Sequence, residues 1–217
     1  MPPSILELAD MRNGASLASK MRQMRFAFFE KLLGQVPRPL SICDIGGTAD
    51  FWRGFDDHDA QITVVNVGEQ PDLGGRLRVV VGDARSLPFG SRSFDVVFSN
   101  SVIEHVGTLA DQQRMADEVR RIGKRHFVQT PSYYFPLEPH FLVPGFQYLP
   151  VNARAWMLTR QRLGWVPREK NFADAKQVVE SIRLLRLSEF RRLFPDSDIF
   201  EERVLGITKS FVAYGGW

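Results

Sequence analysis

The stretch Ser41-Ile42-Cys43-Asp44-Ile45-Gly46-Gly47-Thr48-Ala49-Asp50 decides the fold. A short apolar run ends on an acid, and two glycines follow at once. In an open α/β sheet, ligands lie outside the carboxyl ends of the strands, and glycine lets the backbone approach them closely. A helix is expected after the turn, its N-terminus favouring an anionic group such as a carboxylate. Taken alone, the paired glycines read equally well as a tight turn.

Working outward, the runs Leu40–Ile45, Ile62–Val67, Leu77–Val81, Phe94–Phe98 and His126–Gln129 are short, β-branched or aromatic, and bounded by turn-forming residues. Several are almost continuously apolar, as strands covered on both faces should be. The span Leu109–Ile122 reads as a helix with acids early (Asp111, Asp117, Glu118) and bases late (Arg120, Arg121), which matches the helix dipole. Strands alternating with helical spans predict a parallel, doubly wound sheet. Polar residues recur at the strand ends: Asn66 after the second, Asp83 with Ala84 after the third, and Ser99-Asn100-Ser101 after the fourth. Singly these read as caps or turn-formers. In succession on adjacent strands they describe a nucleoside site.

At this point the chain resembles the class I S-adenosylmethionine-dependent methyltransferases of the small-molecule kind called type 11. CDIGGTADF, ITVVNVGE, VVVGDARSLPFGSRSFDVVFSNSVIEHV and the closing RVLGITKSFVAYG carry the likeness. The resemblance implies a Rossmann-like, mostly parallel sheet of seven strands with an antiparallel last strand, and S-adenosyl-L-methionine as cofactor. It implies Asp44, Gly46 and Gly47 at the methionine part, with Thr48 beside them. Asn66 would sit at the ribose, Asp83 with Ala84 at the adenine, and Asn100 near the methionine end beside the transferring methyl, with Val67 a further cofactor contact. Two departures stand out. Thr48 and Asp50 replace the later glycines of the family's loop, and Asn66 replaces the usual ribose-binding acid, for which Glu69 is a substitute three residues on. An amide still accepts one hydrogen bond and donates another.

Methyl transfer from a sulfonium is an in-line displacement whose leaving group needs no proton. Alignment of the reactants therefore dominates, worth about 7–11 kcal/mol, and general-base help is secondary. The acceptor is expected among small molecules. His140, in Leu137-Glu138-Pro139-His140-Phe141, and His105, just past strand four, are the candidate bases or substrate contacts. Tyr133 and Tyr134 are candidate substrate contacts in a proline- and aromatic-rich insertion over residues 131–163. For that insertion's aromatics a satellite core is the competing reading. His58 and His126 read as structural or solvated.

An amphipathic helix over Ser16–Leu33, within an N-terminal helical cap spanning 1–36, precedes the first strand. It is expected over the cofactor, where Arg25 or Arg22 would meet the methionine carboxylate. Helical spans are predicted at Asn152–Leu163, Asp174–Leu185 and Ser188–Phe194, and two strands around Gly206 are expected as an antiparallel pair closing one edge. All 217 residues are read as one domain.

Composition narrows the remaining classes. A net charge of +3 with no dense basic block gives no support for nucleic-acid binding. No apolar run reaches the roughly 20 residues of a membrane span, and the start lacks a signal-peptide pattern, so a cytoplasmic protein is expected. The single cysteine, Cys43, excludes an internal disulfide or a multi-cysteine metal centre and reads as a packing residue, and no metal site is expected. A nicotinamide dehydrogenase is disfavoured because Gly46-Gly47-Thr48-Ala49-Asp50 lacks the spaced glycines a pyrophosphate needs. The alternative to an enzyme is a catalytically silent binding or regulatory protein on the same fold, motivated by Asn66, Thr48 and Asp50.

Overall fold

The computed structural model describes residues 16–55, 59–71 and 74–217. His58 and the first 15 residues of the N-terminal cap lie outside the described residues. The seven strands are β1 (Leu40–Ile45), β2 (Ala60–Asn66), β3 (Leu77–Val81), β4 (Phe94–Asn100), β5 (Gly123–Pro131), β6 (Asp198–Val204) and β7 (Ile207–Gly215). They form one sheet in the order β3-β2-β1-β4-β5-β7-β6. β1 to β5 run parallel, and β7 runs antiparallel to both neighbours. The expected sheet, its antiparallel last strand and the closing hairpin at Leu205-Gly206 are all present. The helices are α1 (Leu17–Leu33), α2 (Leu109–Ile122), α3 (Val151–Arg160), α4 (Phe172–Glu180) and α5 (Leu187–Leu193). None of the described helices is long and apolar enough to cross a membrane.

Alternation along β1 sorts the core. Cys43 and Ile45 face one side, with α2 (Met115, Ala116, Val119, Ile122) and α5 (Phe190, Leu193) packed over them. Leu40 and Ile42 face the other, under Phe29, Leu32 and Leu33 of α1. Burying a side chain of this size contributes roughly 1.5–3 kcal/mol. Cys43 is fully buried, and burial with the adjacent Asp44 pushes its thiol far up, so it is inert packing as expected.

One expectation fails. No α-helix follows the glycine turn; the β1–β2 connection holds only the single 3-10 turn Ala49–Trp52 among its described residues. The physical reason is aromatic. Phe51, Trp52 and Phe55 fold down onto the sheet, ring against ring with Phe26 of α1, filling the layer a crossover helix would occupy. No helix dipole therefore stands behind the turn.

The segment after β5 has its own core. Phe141, Phe146, Ala155, Leu158, Leu163, Ala175 and Val179 cluster apart from the two sheet layers. It takes in α4, so the insertion runs past residue 163. Tyr133, Tyr134 and Tyr148 instead pack edge to face on one another near the surface.

Candidate functional site

The strand order reverses between β1 and β4, and the crevice of an α/β sheet opens at such a switch point. Asp44 stands there, paired across the ladder with Val64 and Phe98. Its side chain is fully buried, and one oxygen accepts from Trp52 Nε1 at 2.7 Å. Among the described residues the other oxygen, Oδ1, has no hydrogen-bond partner. Burial raises its pKa to about 7, against the opposing hydrogen bond from Trp52. Gly47 lies directly on this carboxylate: a Cβ there would meet Oδ2 at 1.7 Å. Gly46 takes φ 78, and a Cβ would strike Val102 at 2.5 Å. Both glycines are therefore required by space, and Gly46 also by conformation.

The next two strand ends carry the other expected groups. Asn66 donates to Gly47 O at 3.1 Å, holding the turn from the side. Gln70, which the sequence reading passed over, completes the bracket: it donates to Gly47 O at 2.9 Å and accepts from Ala49 N at 3.1 Å. Glu69 is exposed, and Thr48, also exposed, precedes the 3-10 turn without capping it. Val67 is 76% exposed just past the end of β2. Asp83 is gripped through both oxygens by Arg85, and these hydrogen bonds hold its carboxyl below the ordinary range. Ala84 is buried beside it.

Arg25 of α1 does reach this crevice. Its guanidinium forks onto Glu202 of β6, the closest contact being 2.7 Å, and its other arm donates to Asn100 Oδ1 at 2.6 Å. Arg25 is thus already neutralised, and it orients Asn100 so that the amide NH2 remains as a donor. The next residue, Ser101, has φ 56, a conformation uncommon outside glycine, and Gln129 fixes it through backbone and side chain. Arg22 instead lies over the Phe51 ring.

His105 and His140, 35 positions apart, meet with Nε2 atoms 3.2 Å apart. His140 Nδ1 contacts Glu138 at 2.7 Å, and Glu138 also accepts from the backbone N–H groups of His140 and Phe141. Burial opposes charge on His140, but the Glu138 hydrogen bond and charge outweigh it and raise the pKa. His105 is pushed down to about 4 by desolvation of its inner edge and by His140. Glu104 is fully buried; Thr130 donates to its Oε2 at 3.0 Å, while Oε1 has no hydrogen-bond partner among the described residues. Behind Glu138 lies a cavity of about 290 Å³ lined by Tyr133, Gln147, Arg154 and Arg186 among others. Tyr134 points away from it into solvent, 55% exposed. His126 is bonded to Ser197 on the far edge, a structural position.

Trp52, Gln70, Glu104, Thr130, Glu138 and Glu202 were not singled out from sequence. Only two offered a local signal, an acid beside a histidine in Glu104-His105 and in Glu138-Pro139-His140.

Residues 47–126 match the family model described as a methyltransferase domain. Two curated relatives, both uncharacterized proteins of Mycobacterium tuberculosis, are 27% identical over 139 residues, covering 57% of this chain and 47% of theirs. The chain thus spans about half the length of the curated relatives it matches. Among solved structures, a SAM-dependent methyltransferase from Methanosarcina mazei superposes with a TM-score of 0.55 at 16% identity, over 84% of this chain and 94% of its own. The 1,6-didemethyltoxoflavin-N1-methyltransferase of Burkholderia thailandensis, crystallised with 1,6-didemethyltoxoflavin and S-adenosylhomocysteine, gives 0.54 at 16% identity over 89% and 76%. At these identities the likeness to the two methyltransferase structures is one of fold.

Proposed function

We propose that this chain, with a methyltransferase-domain match over residues 47–126 and the matching sheet, is an S-adenosylmethionine-dependent methyltransferase acting on a small-molecule acceptor. The observation that carries the reading is the Asp44–Gly47 contact at the switch point, a buried acid with an unused oxygen under a turn only glycine can make. When bound, the cofactor supplies a methyl group on a positively charged sulfur.

The residues fit that group at three places. Gly46 and Gly47 let the backbone approach the methionine part, and Asp44 offers its unused oxygen toward the ammonium end. The amide NH2 of Asn100, aimed by Arg25, is a donor for the carboxylate; Arg25 acts through Asn100 rather than by direct contact. Val67 gives apolar surface for the adenine, the backbone N–H of Ala84 meets a ring nitrogen, and Asp83 accepts from the exocyclic amine once Arg85 yields one oxygen. Asn66 turns from Gly47 O to a ribose hydroxyl, Gln70 keeping the turn in place. On the acceptor side, Tyr133 and the cavity behind Glu138 bind the substrate, with Tyr134 at the rim. His105 and His140 contact its nucleophilic atom or remove its proton.

Calorimetry on the full chain tests the first half. One-site saturation by S-adenosylmethionine is expected, and none at millimolar cofactor would defeat the reading. Asp83→Ala should weaken binding about tenfold or more, the worth of a charged hydrogen bond, with the melting temperature unchanged; equal affinity removes the adenine assignment. The silent-binder reading draws on Asn66, Gln70 and Arg85 already occupying the turn and Asp83. Saturable cofactor binding with no labelled methyl passed to any small molecule in a broad extract screen would favour it.

A further inference from the structure

We propose that Glu104, His105 and His140 form a binding site for one divalent transition-metal ion, with Glu138 positioning His140. One ligand atom from each of the three lies within 4.8 Å of the others. Two ligands at the usual 2.0–2.1 Å from an ion, subtending an angle between octahedral and tetrahedral, stand about 2.9–3.4 Å apart. The two Nε2 atoms, at 3.2 Å, fall inside that window. The set as a whole spreads to as much as 4.8 Å, wider than two such bonds can span, so the Glu104 carboxylate must draw in toward the histidines when an ion binds. The third ligand is a carboxylate oxygen of Glu104, whose Oε1 has no hydrogen-bond partner among the described residues. A fully buried carboxylate with a bare oxygen is costly unless something binds it.

The surroundings are those of a metal ligand set. Metal-bound histidine commonly donates its far ring nitrogen to a carboxylate, which fixes the tautomer and aims the lone pair. Glu138 does this for His140 and is itself anchored by two backbone N–H groups. Thr130 holds the remaining oxygen of Glu104. Two imidazoles and one carboxylate suit zinc, iron, cobalt or nickel rather than the all-oxygen preferences of magnesium and calcium. The exposed edge of His105 leaves the outer positions open.

The site stands on its own residues; its use in catalysis rests on the methyltransferase reading. There it would take an oxygen of the acceptor as a further ligand and favour the deprotonated oxygen, the proton passing to solvent. The histidine pair is then a holder of the acceptor rather than its base, and the acceptor is a hydroxyl compound.

The test uses the full chain, stripped with a chelator and titrated with Co2+, reading the ligand-field absorption and the stoichiometry. One equivalent per chain is expected, displaced by Zn2+ but not by Mg2+. His105→Ala, on the exposed side, should fold normally and weaken Co2+ binding at least tenfold. Glu138→Gln should weaken it about 10–100-fold, the range for such outer partners. Absence of saturation at millimolar Co2+, or equal binding by His105→Ala and His140→Ala, overturns the site. S-adenosylmethionine calorimetry on the same samples separates the two ideas. Cobalt binding without cofactor binding would sustain the metal site and defeat the methyltransferase reading, and the reverse would do the opposite.

Discussion

The glycine turn and the histidine pair differ in how their polar atoms are satisfied. At the turn, Asn66 and Gln70 bracket the carbonyl of Gly47, Arg85 holds Asp83, and Arg25 is shared between Glu202 and Asn100. Only Asp44 Oδ1 is left over there. Around the histidines, Glu104 Oε1, Gln147 Oε1 and Arg154 Nε all lack partners among the described residues. The turn has its polar groups bracketed within the protein, whereas the second region leaves three buried side-chain atoms unpaired among the described residues. The second region also rests on a core of its own, so the two should respond separately to damage.

The hardest test of that separation is Phe146→Ala. Phe146 is fully buried against Phe141 in the satellite core, and truncation costs about 3–5 kcal/mol. Hydrogen exchange should show lost protection over residues 132–186 with the sheet unchanged, and cofactor affinity should stay within about twofold, no contact to the turn being removed. Loss of protection throughout the molecule would show that the two regions are one unit.

Arg25→Ala probes the other side at similar scale. It strands Glu202 in the interior, which costs about 3–5 kcal/mol by chemical denaturation. Pairing it with Glu202→Leu should recover most of the stability but not the cofactor affinity, because Asn100 has lost its guide. Recovery of both would show that Arg25 is only structural.

Gly47→Ala is smaller in stability, about 1–3 kcal/mol for an overpacked site. It should nevertheless abolish saturable cofactor binding, because Asp44 must move. Gly68→Ala, with nothing within 4 Å, is the control and should change neither.

The gentlest test is pH. The pKa of Asp44 is raised from 3.8 to about 7 in the folded state. Its stabilising contribution is complete below about pH 4 and is lost as pH rises through 7. Asp44→Asn should flatten the fall in melting temperature between about pH 4 and pH 7, and a parallel fall in both proteins would assign the slope elsewhere.

How far the sequence reached follows the same division. β1, β3 and α2 have the bounds their patterns predict, because apolar period and terminal charge are local signals. Asp44, Asn66, Asp83 and Asn100 sit on strand ends for the same reason. The missing helix after Gly47 was not legible, since Phe51, Trp52 and Phe55 reveal their preference for the sheet only once α1 provides Phe26. Glu202 could not be paired with Arg25 by any spacing rule, because 177 residues separate them. Glu104, His105 and His140 are likewise joined only by β4 and β5 lying side by side.

That long Arg25–Glu202 closure bears on how the molecule comes into being. During synthesis the N-terminal elements emerge first and begin to fold as they appear. The helix carrying Arg25 is then made long before β6, so a cation meant for the interior waits for its counter-charge until Glu202, 177 residues later, has been made. Asn100 stays unaimed for as long. A nascent chain halted before Glu202 would therefore carry the glycine turn and its strands, with α1 able to pack through Phe29, Leu32 and Leu33 while Arg25 lacks this carboxylate.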